Sequence, residues 1–292
     1  MDVFMRAGTA VPVVVPVVVL AAAVLHAVWN ALAHAMPDKL AGFTLINLAF
    51  VGVSAIWVCF TPLPGSAAWP FVAASAVLQA AYQTLLLQAY RLGDFGQMYP
   101  VARGVAPMLV AVLSVSVLGQ EPSAPELTGV LIISAGLVAL ALADGLPDRT
   151  QLPALAAALG TGVMIASYTV VDGTGVRRSD SVFGYIAWSF LLQGVLFCAG
   201  ALALGGRGLS SRLRRAPIRG LTGGVLSLTA YALVVWAQDH GDLASIAALR
   251  ETSIVIAALL GTVLFRERLG GRRLAASVTV VAGIAVLQLA HT

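Results

Sequence analysis

Hydrophobic and polar positions alternate along the chain on a long scale. Apolar runs of about 20 residues are cut by short charged or Pro/Gly-rich breaks such as Pro37-Asp38-Lys39, Pro62-Leu63-Pro64-Gly65 and Gly93-Asp94. A helix of that length, rising 1.5 Å per residue, crosses the hydrocarbon core of a bilayer. Ten runs qualify, at 11–34, 41–60, 68–91, 96–118, 124–143, 152–171, 182–204, 217–238, 243–265 and 272–290. The pattern predicts an all-α membrane protein with ten transmembrane helices. The first run is too long for a signal-peptide core and reads as the first span, with no separate leader.

The pattern also repeats. Gly93-Asp94 before span 4 returns as Gly241-Asp242 before span 9, Arg103 as Arg250, Glu121 as Glu267, and Leu127, Gly136 and Leu140 as Leu274, Gly283 and Leu287. The order and the nearly constant offset point to duplication, with units at 11–145 (spans 1–5) and 152–290 (spans 6–10). Five spans per unit is an odd number, so the second unit enters the membrane inverted. Two inverted five-helix repeats with a site near the midplane are an architecture of secondary transporters.

Composition narrows the class. Of 292 residues, 59% are hydrophobic and 10% charged, against about 25% charged in a soluble domain. Ten spans leave no room for a sizeable soluble domain. The net charge of +4 gives no reason to expect nucleic acid, because the arginines gather at the ends of apolar runs, where they set topology. With both termini in the cytoplasm, that side would carry three Lys/Arg and the other side twelve, so the charge rule places both termini outside. Cys59 and Cys198 sit inside apolar runs and read as small core hydrophobes.

Polar side chains inside the spans carry the candidate chemistry, because lipid disfavours them. In span 1, His26, Asn30 and His34 share one helical face with Trp29 beside them. Span 3 carries Gln79, Tyr82, Gln83 and Tyr90 on one stripe. Span 4 holds Tyr99 and Arg103, the latter roughly 13 Å past the Gly93-Asp94 break at 1.5 Å per residue, with Pro107 as a source of a kink. Arg250 stands at similar depth in span 9 beside Glu251. Span 6 offers Tyr168 and Asp172, span 8 Tyr231 and Trp236. Each set reads either as cavity lining or as interhelical packing bonds. Asp172 reads equally as a solvated cap. Gln238-Asp239-His240 reads as interfacial, and Tyr185 and Trp188 as belt or site. A guanidinium near the midplane makes bidentate bonds to a carboxylate or phosphoryl group, and Tyr or Trp suits an apolar portion. The expected substrate-binding set is therefore His26, Trp29, Asn30, Gln79, Tyr82, Gln83, Tyr99, Arg103, Tyr168, Tyr231, Trp236 and Arg250. Glu251, Asp172 and His26 are the candidates for coupling to protons. No Walker loop, HExxH or CxxC is present, so no cofactor, metal or ATP-driven step is expected. The short pieces Gly160-Thr161-Gly162 and Gly173-Thr174-Gly175, and Gly220 with Gly224, read as close-packing devices.

These features resemble the EamA type of the drug/metabolite transporter superfamily. The resemblance rests on ten spans in two halves, Gly119 to Glu121 after span 4, and Phe265 to Leu269 (Phe-Arg-Glu-Arg-Leu) after span 9. Gly129 and Gly136, with Ala276 and Gly283, match that family's small-residue pattern in the fifth and tenth helices. The segment His26 to Asn30 is similar to a branch with an HAxWN start, some members of which are associated with phosphonate use. Glu121-Pro122 departs from the Glu-Arg usual in the family, and relatives tend to have both termini inside. The resemblance implies a gradient-driven secondary transporter of the plasma membrane, an exporter or exchanger of a small polar metabolite such as an amino acid, organic acid or phosphonate. The expected partners are that substrate and the bilayer, as monomer or homodimer. A lipid or polyprenyl-carrier translocase is the alternative reading, and an intramembrane enzyme a weaker one.

Overall fold

The computed structural model describes residues 14–93, 95–119, 122–142, 145, 148–215, 217–256 and 271–289. The helices are α1 (Val14–His34), α2 (Lys39–Trp57), α3 (Trp69–Leu92), α4 (Phe95–Leu118), α5 (Ala124–Ala141), α6 (Leu152–Arg177), α7 (Val182–Gly205), a short α8 (Leu209–Leu213), α9 (Pro217–His240), α10 (Leu243–Arg250) and α11 (Gly271–Leu289). Among the described residues, eight helices, α1 to α7 and α9, are long and apolar enough to cross a membrane. Span 9 is described only as α10 and a helical stretch at 252–256, and the apolar part of α11 is shorter, Leu274–Leu287. Asp94, Glu121, Glu267 and the element 265–269 lie outside the described residues, as does the side chain of His34.

The helix starts follow from local polar chemistry. Asp38 accepts from the Ala41 N–H at 3.1 Å and starts α2, Ser181 does so for α7 through Gly184 at 3.0 Å, and Asp242 starts α10 through Ser245 at 2.6 Å. Ser123 and Glu126 form a reciprocal capping box at α5. Each satisfies backbone donors that a first turn leaves open.

The burial pattern is that of a protein in lipid. Val17, Ile56, Val77, Val112, Leu131, Val195 and Leu202 are exposed, while Asn30, Asn47, Gln79, Gln83, Arg103, Asp172, Gln193, Arg250 and Glu251 are buried. Apolar side chains face outward because hydrocarbon accepts them, and polar ones turn inward, where they find partners. Helices of the two halves interleave: α3 packs along α6 and α7, α1 along α9 and α10, α4 on α6, and α2 on α7 and α9.

Small residues set the closest approaches. A Cβ added to Gly283 of α11 would lie 2.9 Å from the Ile133 backbone nitrogen and 3.0 Å from the Gly129 carbonyl of α5. One on Gly136 would lie 3.1 Å from the Val280 nitrogen. These two helices therefore touch backbone to backbone. Gly220 and Gly224 play the same part for α9, against Leu45 and Ala49 of α2.

Candidate functional site

A cavity lies between seven helices drawn from both halves. Its wall is His26 and Trp29 (α1), Phe43, Ile46 and Phe50 (α2), Gln79, Tyr82 and Gln83 (α3), Tyr168 (α6), Phe190 and Gln193 (α7), Ser227 and Tyr231 (α9), and Arg250 (α10). Counting its open mouth, it holds about 400 Å³ of space between atoms.

The wall is mostly aromatic. Tyr168 meets Tyr82 and Tyr231 edge-on, each with ring centroids 5.5 Å apart, and Phe190 packs on Phe50 at 5.0 Å. Such edge contacts favour fixed ring positions. Among the polar groups, Trp29 Nε1 donates to His26 Nδ1 at 3.1 Å, so a neutral His26 carries its hydrogen on Nε2. Asn47 Nδ2 donates to Gln83 Oε1 at 2.5 Å, which fixes the Gln83 amide. Gln193 Oε1 is buried with no donor among the described residues.

The two buried arginines differ. Arg103 Nε donates to Glu251 Oε2 at 3.0 Å, and its Nη2 lies 2.9 Å from Oε1. The same Nη2 donates to the Arg250 carbonyl at 3.4 Å. This is a buried, two-pronged pair joining α4 to the end of α10. Arg250 instead lays its guanidinium over the Tyr231 ring at 5.3 Å, a cation–π contact. Among the described residues no carboxylate stands within ion-pair distance of it. The chain geometry allows this division because α10 stops at Arg250. There the backbone bonds tighten to three residues, Glu251 N–H to Ala248 O at 3.0 Å and Ile254 N–H to Glu251 O at 3.0 Å.

Behind the wall lies Asp172, fully buried. Tyr185 donates to Oδ1 and Tyr231 to Oδ2, each at 2.8 Å, and Gln79 donates to Oδ2 at 3.3 Å.

Comparison with known proteins fits this arrangement. Residues 152–289 match the EamA-like transporter family. The second part of the chain is thus similar to a family of membrane transporters. An uncharacterized transporter of Bacillus subtilis (strain 168), YwfM, is 25% identical over 167 residues, 56% of either chain, so the chain spans about half the length of that curated relative. A crystal structure is similar in fold over 95% of this chain and 99% of its own, at a TM-score of 0.76 and 20% identity.

Of the residues expected at the site, the fold brings His26, Trp29, Gln79, Tyr82, Gln83, Tyr168, Tyr231 and Arg250 to the cavity wall. Asn30 is buried and donates to the His26 carbonyl at 2.8 Å. Tyr99 is buried off the wall, Arg103 and Glu251 hold each other, and Trp236 stacks on His240 with centroids 4.3 Å apart. The cap reading of Asp172 gives way: α6 runs on to Arg177, so the carboxylate lies inside the bundle. The interfacial reading of Gln238 is corrected too, since it is fully buried. So is the belt reading of Tyr185, which is 0% exposed because its hydroxyl serves Asp172. Trp188 packs on Trp69 at 5.2 Å. Sequence reasoning missed Gln193, Asn47 and Ser227, although each is a polar residue in an apolar run, the signal used elsewhere. Phe43, Ile46, Phe50 and Phe190 carried no such signal.

Proposed function

We propose that this protein is a gradient-driven secondary transporter of the plasma membrane, an exporter or exchanger, that carries a small anionic or zwitterionic metabolite through the cavity with Arg250 as its anchor. The observation that carries this reading is Arg250 itself. It is 4% exposed, lies on the cavity wall and has no carboxylate partner among the described residues. A guanidinium is costly inside a membrane unless it is paired, and its planar fork fits a carboxylate or phosphonate. The Gln193 carbonyl oxygen offers an acceptor for an N–H or O–H of the same ligand, and the aromatic wall takes its apolar part. Amino acids, organic acids and phosphonates carry such groups. The break in α10 beside the cavity supports transport, because discontinuous helices frame substrate sites in secondary transporters.

The helix packing supports reading 11–145 and 152–290 as an inverted pair. The contacts of α3 with α6, α4 with α6 and α7 with α3 have counterparts in α9 with α1, α10 with α1 and α2 with α9. Two such repeats complete a transport unit within one chain.

The test is a thermal-shift screen of the purified protein in detergent with amino acids, organic acids, phosphonates, nucleotide precursors and organic cations. Stabilisation by one anionic or zwitterionic class, lost in Arg250→Gln, is expected. Stabilisation by cations alone, or by lipid alone, overturns the reading and favours cation efflux or lipid translocation.

A further inference from the structure

Tyr231 is shared by two groups that otherwise do not meet. Its ring lies under the Arg250 guanidinium on the cavity side, and its hydroxyl donates to Asp172 Oδ2 on the far side. The groups facing Asp172 from each neighbouring helix are few. From α3 come the Gln79 amide and the Ser75 hydroxyl, from α7 Tyr185, and from α9 Tyr231. On α4, Arg103 is held by Glu251 of the strand of chain following α10. On α6 itself, Tyr168 turns to the cavity. Among the described residues no Lys, Arg or His nitrogen lies within ion-pair distance of Asp172, and the positive charge that acts on it across Tyr231 is that of Arg250. Asp172 is thus a membrane-buried carboxyl group held by neutral donors, and among the described residues the cation set against it, across the Tyr231 ring, is the arginine that the ligand would occupy.

We infer that Asp172 is the proton site of this protein, and that an anion binding at Arg250 is accompanied by uptake of a proton at Asp172, so that anion and proton move together. This rests on the anion-site reading of Arg250. The physical reason is charge conservation in a low-dielectric interior. An anion on Arg250 cancels the field that supports the Asp172 carboxylate, and a fixed charge left without a counter-charge there is strongly disfavoured. A proton from solvent water restores the balance, adding to a carboxylate oxygen and leaving hydroxide to the bulk buffer. The Ser75 hydroxyl, which shares the Gln79 amide donor with this carboxyl group, offers an acceptor for the resulting O–H. Empty and loaded carriers then hold the same net charge, and neither bears an extra charge across the membrane. By linkage, protons strengthen anion binding as much as anions strengthen proton binding. Tyr231 acts as a positioning residue that holds both partners.

Benzoate is a suitable probe: it has one carboxylate and one ring, and like other carboxylic acids it stays ionised at neutral pH. Its binding to purified protein is measured in weakly buffered detergent with a pH indicator. The expected result is uptake approaching one proton per benzoate, with affinity rising up to about tenfold per unit fall in pH. Asp172→Asn binds benzoate with no proton uptake and no dependence on pH, and Tyr231→Phe binds it with less than half the uptake. Benzoate binding without proton uptake in the unaltered protein, or uptake that persists in Asp172→Asn, overturns the coupling and leaves the anion site standing. Failure of benzoate to bind, or binding unchanged in Arg250→Gln, overturns the anion site and the coupling with it.

Discussion

Arg103 and Arg250 stand 147 residues apart, on α4 and at the end of α10, and both are almost wholly buried. One is a strut and the other an open hand. The difference traces to the next residue along the chain. Arg250 is followed by Glu251, and at the same offset Arg103 is followed by Gly104. Adjacent residues on a helix diverge by about 100°, so Glu251 turns toward α4 while Arg250 turns toward the cavity. Gly104 offers no charge and lets α4 close on Leu137 of α5, where an added Cβ would lie 2.9 Å from the Leu137 Cβ. The backbones differ as well. The α4 helix runs unbroken through Pro100 and Pro107, whereas α10 stops at Arg250. A single carboxylate, Glu251, decides which arginine is neutralised internally and which is left facing the cavity.

The largest expected effect breaks the strut. Arg103→Gln leaves Glu251 buried without its partner and is expected to cost about 3–5 kcal/mol of stability, read as thermal unfolding in detergent. The double change Arg103→Gln with Glu251→Gln removes both charges and should recover most of that loss. Equal melting of Arg103→Gln and the unaltered protein would show that the pair is not structural. Next comes the hand. Arg250→Gln should lower affinity for an anionic ligand roughly 10- to 100-fold, the worth of about 1.5–3 kcal/mol for hydrogen bonds to a charged group. Its melting temperature without ligand should stay close to that of the unaltered protein; a fall as large as that of Arg103→Gln would make the two arginines alike and erase the distinction.

The smallest effect sharpens the rule by moving it to the surface. Arg212 of α8 makes a two-pronged pair with Asp38, Nε to Oδ2 at 2.5 Å and Nη2 to Oδ1 at 2.8 Å, with both side chains about one-third exposed. Hydrogen bonding from Arg212 holds the Asp38 carboxyl below its ordinary range. A lowered value in the folded state means that the stabilisation is present at neutral pH, above the ordinary carboxylate range near 4. It is lost as pH falls through the still lower folded value. Asp38→Asn keeps the cap of α2 and should cost about 0.2–1 kcal/mol at pH 7, with the difference from the unaltered protein fading as pH falls through the lowered folded-state value. A gap that persists in acid would place the effect in the cap instead of the pair.

Much of the fold is legible in the sequence because a bilayer imposes one length on every helix, and runs such as Val182 to Gly205 announce themselves. The site is legible where polarity is misplaced: His26, Gln79, Gln83 and Arg250 stand out against apolar neighbours. It is illegible where cavity and lipid accept the same side chain. Phe43, Phe50 and Phe190 face the cavity, and nothing in their identity separates them from Phe183, which is exposed. Depth near a helix end is the other blind spot. Ending span 6 at residue 171 put Asp172 at the rim, but six further residues of α6 carry it inside. Tyr185, four residues into α7, follows it there. The pairing of Arg103 with Glu251 across 148 residues is a tertiary choice that no local spacing encodes.

The backbone contact of α5 with α11 bears on how such a molecule can move. Neither helix contributes to the cavity wall, and with Gly129, Gly136 and Gly283 pressed against opposing main chain a larger residue at any of the three would wedge the pair apart. The two helices are therefore expected to travel as one body.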